Sequence, residues 1–245
     1  PSFRNDLSRP EDLYEEIARI YGYNNIPINL TFKSSYESFI EDKHKITSRI
    51  QYILESKGFN EHFSNSLTNN TYCSDFSNNN PVKISNPLSN EMENLRTSLL
   101  PGLLEAVLFN EKRRLKKFKL FETGVIHKYI PKIETKSVES FHLGIVWYES
   151  ENLHWRTNQN LDIFVVKGEV NSILNILGCK SITFKQVDQI GYNVAFQVIS
   201  NKIKIGVFGI IDENLQNRYG IESSIFIFEG SIDNMKKSIK ATPIK

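Results

Sequence analysis

The stretch FKLFETGVIHKY, residues 118–129, decides how this chain is organised. It is rich in aromatic and β-branched residues, which is typical of a β-strand. A second strand of this kind is predicted at 140–149, and four more are predicted further along the chain: SITFK (181–185), YNVAFQVIS (192–200), KIKIGVFGII (202–211) and SIFIFEGSI (224–232). The second half of the chain therefore reads mainly as strands linked by hairpins.

Helices are predicted mainly before this stretch. Apolar residues at helical spacing indicate helices over 9–21, over 41–57 and from about residue 99. Residues 161–178 predict a strand-like entry into a helix, and DENLQNRYG a short helix. Helices followed by a series of strands favour an α+β fold, with a largely antiparallel sheet flanked by helices.

The ends of these elements carry local signals. Ser8 is expected to be the N-cap of the first helix with Glu11 completing a capping box, and Gly22 should end the helix. Ser98 is the expected N-cap of the helix that starts near residue 99. The Asn-rich segment 68–81 is predicted to be a mobile loop.

Composition sets wide bounds on function. The chain has 245 residues, a net charge of +2 and two cysteines without metal-type spacing, so free thiols in a reducing compartment are expected. No apolar run approaches the roughly 20 residues of a membrane span, and no secretory signal is recognisable. The chain starts at Pro1 and its last stretch, MKKSIKATPIK, reads as a linker, so we expect a piece of a longer protein.

Sequence motifs for a self-sufficient enzyme are missing. The chain has no GxxxxGK[ST] loop, no GxGxxG after a strand, no HExxH and no GxSxG, and its five histidines never form ligand-like pairs. The run EKRRLKKFK at 111–119 suits either contact with RNA phosphates or the solvated basic end of a helix.

Four carboxylates near the start form a candidate metal site. Asp12, Glu15 and Glu16 stand at i, i+3 and i+4 on the first helix, and Asp6 lies just upstream. Such oxygen donors favour Mg²⁺ or Ca²⁺ over zinc. Acids are also favoured at a helix N-terminus without any ligand, so spacing alone leaves both interpretations open.

Five segments, in order, resemble the β subunit of bacterial phenylalanyl-tRNA synthetase. FRND followed by DLYEEIARIYGYNNIP is similar to that family's strand end and its DLxEExARxYGYxxIP helix, although Asn5 replaces an aromatic residue. The other four segments are LRTSLLPGLLEAVLFN (95–110), KLFETGVIHK, LDIFVVKGEVNSIL (161–174) and IGVFGIIDENL (205–215). In the last of these, Asp212 and Glu213 stand where the family has His-Pro.

The resemblance implies a domain layout. Residues 1–27 would be the C-terminal end of a small DNA-binding-like domain, 28–40 a connector, and 41–245 a catalytic-like module built on the class II aminoacyl-tRNA synthetase sheet. The anticodon-binding domain and the editing region would lie outside the chain.

The resemblance also implies ligands and partners. The family's D-x5-D-x2-E-E arrangement, which binds a Mg²⁺ shared with the α subunit, falls on Asp6, Asp12, Glu15 and Glu16. The α subunit would use ATP to adenylate phenylalanine, and the cytoplasmic heterotetramer of two α and two β subunits would charge tRNA(Phe). The helices at 41–57 and from Ser98 are the candidates for the intersubunit bundle.

The module itself is expected to lack the ATP-binding apparatus. Class II enzymes hold phosphates with arginines, because guanidinium groups stabilise phosphate charge bidentately. KLFETG offers Lys119 and Glu122 but no Arg-x-Glu, FEGSIDNMKK contains Gly230 but no GxGxxR, and Arg218 is isolated. The alternatives are a stand-alone class II-like paralogue that binds its own small substrate, and an RNA-binding module based on 111–119.

Overall fold

The structure, a computed structural model, describes residues 3–28, 44–150, 161–223 and 225–240. The chain divides into two units, Pro1–Asp42 and Lys43–Lys245, which we call the N-terminal unit and the sheet unit. Apart from Ile28, the predicted connector at 28–40 lies outside the described residues, as do the first residues of the helix predicted at 41–57.

Within residues 3–28, the N-terminal unit contains one α-helix, α1 (Pro10–Tyr21), followed by a 3-10 turn (Tyr23–Asn25). The helix starts one residue later than predicted, because the Oδ2 atom of Asp12 accepts hydrogen bonds from the backbone N–H groups of Ser8 (2.9 Å) and Arg9 (2.8 Å). The predicted N-cap at Ser8 is therefore wrong, since Arg9 is the N-cap. The predicted capping box with Glu11 is wrong as well, because the side chain of Asp12 accepts the hydrogen bond from the backbone of the N-cap residue. Gly22, at φ 92°, ends the helix as predicted.

In the described residues, the sheet unit has ten strands in two sheets. The strands are β1 (Asn60–Glu61), β2 (Leu67–Thr68), β3 (Val82–Lys83), β4 (Asn94–Leu95), β5 (Lys117–Tyr129), β6 (Ser137–Glu149), β7 (Ile182–Val187), β8 (Tyr192–Ser200), β9 (Ile203–Ile211) and β10 (Ile225–Ser231). The large sheet has the order β1-β5-β6-β10-β9-β8-β7, and the small sheet has the order β2-β4-β3. Every pair in the large sheet is antiparallel except β1–β5, which confirms the α+β prediction.

Six helices accompany these strands in the part of the unit that the structure describes. They are α2 (His44–Ser56), α3 (Asn70–Ser74), α4 (Leu100–Glu111), α5 (Ile163–Leu177), α6 (Glu213–Tyr219) and α7 (Ile232–Lys240), with a 3-10 turn at Asn90–Met92. Four of them differ from the sequence predictions. The N-cap of α4 is Leu99 and not the predicted Ser98, whose hydroxyl donates to Glu229. The predicted loop at 68–81 contains α3, which Asn69 caps; Asp162 caps α5 directly, without a strand-like entry; and α7 occupies part of the predicted linker.

The large sheet carries a hydrophobic core on each face. Ile145 and Trp147 of β6 pack in one core with α2, α5 and α7, and Val146 and Tyr148 pack in the other core with α4 and α6. This division follows from the two-residue period of a strand, which sends successive side chains to opposite faces. We call the side of the sheet that carries α2, α5 and α7 the α5 face, and the side that carries α4 and α6 the α4 face.

Candidate functional site

A cleft of about 630 Å³ opens on the sheet unit. Its walls come from β5, β6, β8, β9 and β10, from residues 76–79, and from the first turns of α7. Several of the residues that line it, among them His142 and Glu229, lie on the α4 face, because they continue the alternation of Val146 and Ile227 along their strands. A concave site of this volume on a rigid sheet is the natural place to look for ligand binding.

Glu229 of β10 is the central buried acid of this region. Its Oε2 atom accepts a hydrogen bond from the Ser98 hydroxyl (2.8 Å), and its Oε1 atom accepts one from the Leu99 N–H (2.8 Å). His142 Nδ1 lies 3.5 Å from the same Oε1 atom. Burial raises the pKa of the Glu229 carboxyl, but His142, the Leu99 N–H and the Ser98 hydroxyl together outweigh burial, so that its pKa lies below the usual range.

A second buried acid, Glu122 of β5, holds Arg96, which lies just before the residues Ser98 and Leu99 that Glu229 holds. Arg96 Nη1 donates to Glu122 Oε1 (2.5 Å) and to the Ser64 hydroxyl (2.9 Å), and Arg96 Nε donates to the Val125 carbonyl oxygen (2.9 Å). The Ser64 hydroxyl in turn donates to Glu122 Oε2 (2.7 Å). Charge and hydrogen bonds are thereby satisfied within the protein, as a buried ion pair requires.

Gly144 of β6 lies between the two acids, because it pairs with Glu122 on β5 and with Glu229 on β10. A Cβ atom at this position would lie 2.9 Å from Leu103 Cδ1 and 3.1 Å from Leu99 Cβ. The missing side chain therefore lets the start of α4 rest directly on the sheet. Residues 96–99 are fixed at Glu122 through Arg96, at Glu229 through Ser98 and Leu99, and above Gly144 through Leu99.

The charged residues that line the cleft are lysines and acids. In the described part of the chain, Lys128, Lys204, Lys237, Glu229 and Asp233 line it together with His142, and no arginine does. The walls therefore lack the planar donors that hold phosphates bidentately in adenylate-forming sites.

The residues that the sequence offered as remnants of an ATP site serve other contacts. Lys119 projects to the α5 face and donates to Glu169 (2.5 Å), which also accepts a hydrogen bond from Trp147 Nε1 (2.6 Å). Arg218, which the sequence left isolated, forms an ion pair with the buried Asp75. Neither Lys119 nor Arg218 lines the cleft.

The four predicted metal-binding acids are only partly brought together. Arg4 Nη2 donates to Asp6 Oδ2 (2.7 Å) and to Glu16 Oε1 (3.0 Å), so that these two acids meet at one guanidinium group. Its hydrogen bonds lower the pKa of Asp6 to about 2 and also lower the pKa of Glu16. Asp12 instead holds the start of α1, and Glu15 is exposed. In the residues that the structure describes, no group of three or more acids, histidines or cysteines is placed to hold a metal.

The basic segment 111–119 follows the end of α4. Arg113 stacks on the Phe109 ring, 3.3 Å from its centroid, and Lys117 forms an ion pair with Glu149 (3.0 Å). Of the helices in the described ranges, none is long and apolar enough to cross a membrane.

Sequence reasoning missed Arg96, His142 and Glu229. One available signal was the position of Glu229 within the apolar strand IFIFEGS, since an acid in a buried strand needs partners. Its partners could not be named, because Ser98 and Leu99 are separated from it by 131 and 130 positions.

Two protein-family models match the chain. The model described as phenylalanyl tRNA synthetase beta chain CLM domain matches residues 26–232, and the model described as tRNA synthetase B5 domain matches residues 1–23.

Curated relatives bear the name phenylalanine–tRNA ligase beta subunit. The chain is 32% identical over 241 residues to that of Haemophilus ducreyi, covering 94% of this chain and 29% of the relative. It is 27% identical to that of Francisella tularensis, with coverage of 97% and 30%, and 27% identical to that of Bacteroides thetaiotaomicron, with coverage of 100% and 32%. The chain thus spans about three-tenths of the length of these relatives.

Solved structures show the same fold at lower identity. Two pyrrolysyl-tRNA synthetase structures from Desulfitobacterium hafniense superpose with TM-scores of 0.60 and 0.61, at 13% and 14% sequence identity. Each superposition covers 81% of this chain and 69% of the synthetase chain. The sheet unit therefore has the class II synthetase-like fold. Since the CLM-domain model matches most of the sequence, the chain belongs to the phenylalanyl-tRNA synthetase β-chain family.

Proposed function

We propose that this chain supplies the catalytic-like module of the β subunit of a phenylalanine–tRNA ligase. In this role it supports a catalytic α subunit, which charges tRNA(Phe) with phenylalanine at the expense of ATP in the cytoplasm. Family membership and the names of the relatives support the subunit assignment. The chain performs no adenylation itself in this proposal.

The observation that carries the proposal is the chemistry of the cleft. The fold is that of a class II synthetase, yet the described cleft walls contain lysines and no arginine, and Lys119 and Arg218 are held in ion pairs elsewhere. Adenylation needs preorganised charge that stabilises the transition state at the phosphates. A module that has the class II fold but lacks arginines in its cleft would act by positioning the partner subunit.

Association with the α subunit tests the subunit role. We expect the chain and the cognate α subunit to co-elute in size-exclusion chromatography with light scattering, at a mass that contains both. The chain alone should show no amino-acid-dependent exchange of pyrophosphate into ATP. Adenylation by the chain alone would favour a stand-alone paralogue, and a failure to associate would contradict the proposed role.

We also propose a layout and a metal site from the family resemblance. Residues 1–27 would be the C-terminal end of a small DNA-binding-like domain, and residues 28–40 would connect it to the catalytic-like module at 41–245. Asp6, Asp12, Glu15 and Glu16 would hold a Mg²⁺ shared with the α subunit.

The donor set of this site suits the ion, because Mg²⁺ prefers carboxylate and water oxygens. In this structure, however, the Arg4 guanidinium already bridges Asp6 and Glu16. Mg²⁺ binding therefore requires Arg4 to move aside and the α subunit to complete the ligand set. The bound ion would neutralise the acids and let an acidic partner surface approach.

Metal content and assembly test this site together. In the complex with the α subunit, D12N with E16Q should lower bound Mg²⁺, measured by elemental analysis of the purified complex, and should weaken association. The matched control is E11Q, because Glu11 lies in the same first helical turn but outside the proposed set. Unchanged metal content in D12N/E16Q would return the acids to the role of a solvated helix start.

A further inference from the structure

Beyond this supporting role, we infer that residues 112–117, together with Phe109, form a binding surface for a single-stranded polynucleotide. We call these residues the basic surface. Its lysines and arginines contact the phosphates, and one unpaired base stacks on Arg113. The choice of RNA as the natural polynucleotide rests on the proposed function, whereas the charge and the stacking surface do not.

The basic surface lies where helix α4 ends and strand β5 begins. Lys112 is the C-cap of α4, and Arg114 has a φ of 63°, in the left-handed region that residues other than glycine seldom occupy. The six residues 112–117 are all exposed. Because α4 packs in the core and β5 pairs with β6 from Lys117 onward, the turn that carries these charges is held at both ends.

The basic surface keeps an excess of positive charge when the described acids around it are counted. Its five cations are Lys112, Arg113, Arg114, Lys116 and Lys117. Three acids lie beside them: Glu149 pairs with Lys117 (3.0 Å), and Glu111, which accepts a hydrogen bond from the Tyr148 hydroxyl (2.6 Å), also accepts one from the backbone N–H of Glu222 (3.2 Å). Among the described residues, no carboxylate forms an ion pair with Lys112, Arg113 or Arg114. These three cations are therefore available to phosphates.

The basic surface also offers a flat group on which a base can stack. The Arg113 guanidinium lies over the Phe109 ring, 3.3 Å from its centroid, and Arg113 Nη1 donates to the Phe109 carbonyl oxygen (3.0 Å). Phe109 is 55% exposed and Arg113 is exposed, so the outer side of this stack faces solvent. Unpaired bases stack on guanidinium planes and aromatic rings. This stack favours a polynucleotide over an acidic protein, because a carboxylate needs donors but no flat surface.

The basic surface is separate from the cleft. Lys117 is the first residue of β5, and Lys128, which lines the cleft, lies near the other end of this 13-residue strand. Since a strand rises about 3.3 Å per residue, the two regions are roughly 35 Å apart. Binding at the basic surface therefore does not involve the cleft.

Fluorescence anisotropy of a labelled single-stranded oligoadenylate RNA of about 12 nucleotides, titrated with the chain at several salt concentrations, tests the inference. The logarithm of the association constant should fall with the logarithm of the salt concentration with a slope of about −2, since each of three phosphate contacts contributes about 0.7. Between roughly 50 and 200 mM salt, the affinity should therefore drop about 15- to 20-fold.

A charge variant locates the phosphate contacts. K112A/R114N should weaken binding by roughly tenfold or more at low salt and reduce the slope to about −0.7, because two of the three contacts are lost. Asn is chosen at position 114 because it tolerates a positive φ. The matched control K180A/K185A removes two exposed lysines outside the basic surface, and it should bind as the parent chain does.

A conservative variant separates stacking from charge. R113K keeps the charge but loses the flat guanidinium, so it should bind the single strand roughly fivefold or more weakly while the slope stays near −2. An RNA duplex of the same length, whose bases are already stacked inside the helix, should bind to R113K and to the parent chain equally well.

Four results would overturn the inference. They are no binding of the oligoadenylate at low salt, an unchanged slope in K112A/R114N, equal weakening in K180A/K185A, and an R113K variant that binds the single strand as the parent does. If K112A/R114N instead loses association with the α subunit and keeps RNA binding, the basic surface is a protein interface, which also overturns the inference. Because the parent chain's association with the α subunit is measured separately, a failure to bind RNA leaves the subunit role intact.

Discussion

Glu229 shows at the scale of one residue how a buried charge shapes this molecule. The carboxylate lies on a strand whose neighbouring side chains are apolar, yet it is engaged by a hydroxyl, a backbone N–H and an imidazole. An acid held in this way stabilises the fold only while it is ionised.

The pH dependence of stability follows from the sign of the Glu229 shift. Because the folded state lowers the pKa of Glu229, its contribution is fully present above the unfolded value of about 4.5 and is lost as the pH falls through the lower folded value. At pH 7, E229Q should lower the free energy of unfolding by about 2 kcal/mol, since hydrogen bonds to a charged group are lost. Denaturant unfolding at several pH values measures both effects.

The exposed Glu134 provides the control for this experiment. E134Q should unfold as the parent chain does at every pH. The difference between the parent and E229Q should shrink as the pH drops below about 4.5. A difference that stays constant down to pH 3 would show that the charge of Glu229 contributes nothing.

At the scale of elements, helix α4 and the sheet approach closely because Gly144 has no side chain. A Cβ atom there would meet Leu103 Cδ1 at 2.9 Å, so one of the two elements must shift. The helix cannot move freely, because Arg96, Ser98 and Leu99, which lie directly before it, are bound to buried acids.

Two glycine-to-alanine substitutions should therefore have opposite effects. G144A should destabilise the sheet unit by about 1–3 kcal/mol through overpacking. G168A, in the interior of α5 where no atom lies within 4 Å of a new Cβ, should stabilise it by about 0.5–1 kcal/mol, because alanine has the higher helix propensity. Thermal and denaturant unfolding of both variants measure the effects, and a stabilised G144A would contradict the packing described here.

The elements differ in how well the sequence predicted them. Long segments with a clear period or cap, such as 118–129 and the helix ended by Gly22, were predicted within a few residues. Helix α3 was missed because five residues are too few for a periodic signal, and its Asn-rich sequence resembles a loop. Helix α7 was missed because its buried contacts, Ile232 and Met235, pack on strands that are distant in sequence.

The candidate site was harder to predict than the fold. Local spacing singled out four acids near the start, of which the structure brings Asp6 and Glu16 together at Arg4. The cleft and its acids depend on pairing between strands that are far apart in the sequence, such as β6 with β10, and no local pattern encodes that pairing.

At the scale of the whole molecule, the two units differ in how their backbones are protected. No residue of α1 is buried, whereas β10 lies between two strands and is buried along most of its length. A helix of 12 residues without packing is marginal in water.

Hydrogen exchange should reveal this contrast. Amides of α1 should exchange orders of magnitude faster than those of β10, because local opening of α1 exposes no core. Exchange followed by NMR or mass spectrometry of the chain measures it. The amides of α5, a helix with five buried residues, are the internal control and should be slow. Equal protection of α1 and β10 would mean that α1 is stabilised by contacts of its own.

The position of β10 has a consequence for synthesis on the ribosome. In the sheet, β10 lies between β6 and β9, but in the sequence it follows both of them, at residues 225–231. It therefore leaves the exit tunnel after all the other strands of the large sheet. Until then the β5–β6 hairpin and the β7–β8–β9 meander each have an unpaired apolar edge, the kind of surface on which nascent chains aggregate. The nascent chain should therefore be most exposed to chaperones late in translation. This exposure should end when β10 inserts between the β5–β6 hairpin and the β7–β8–β9 meander.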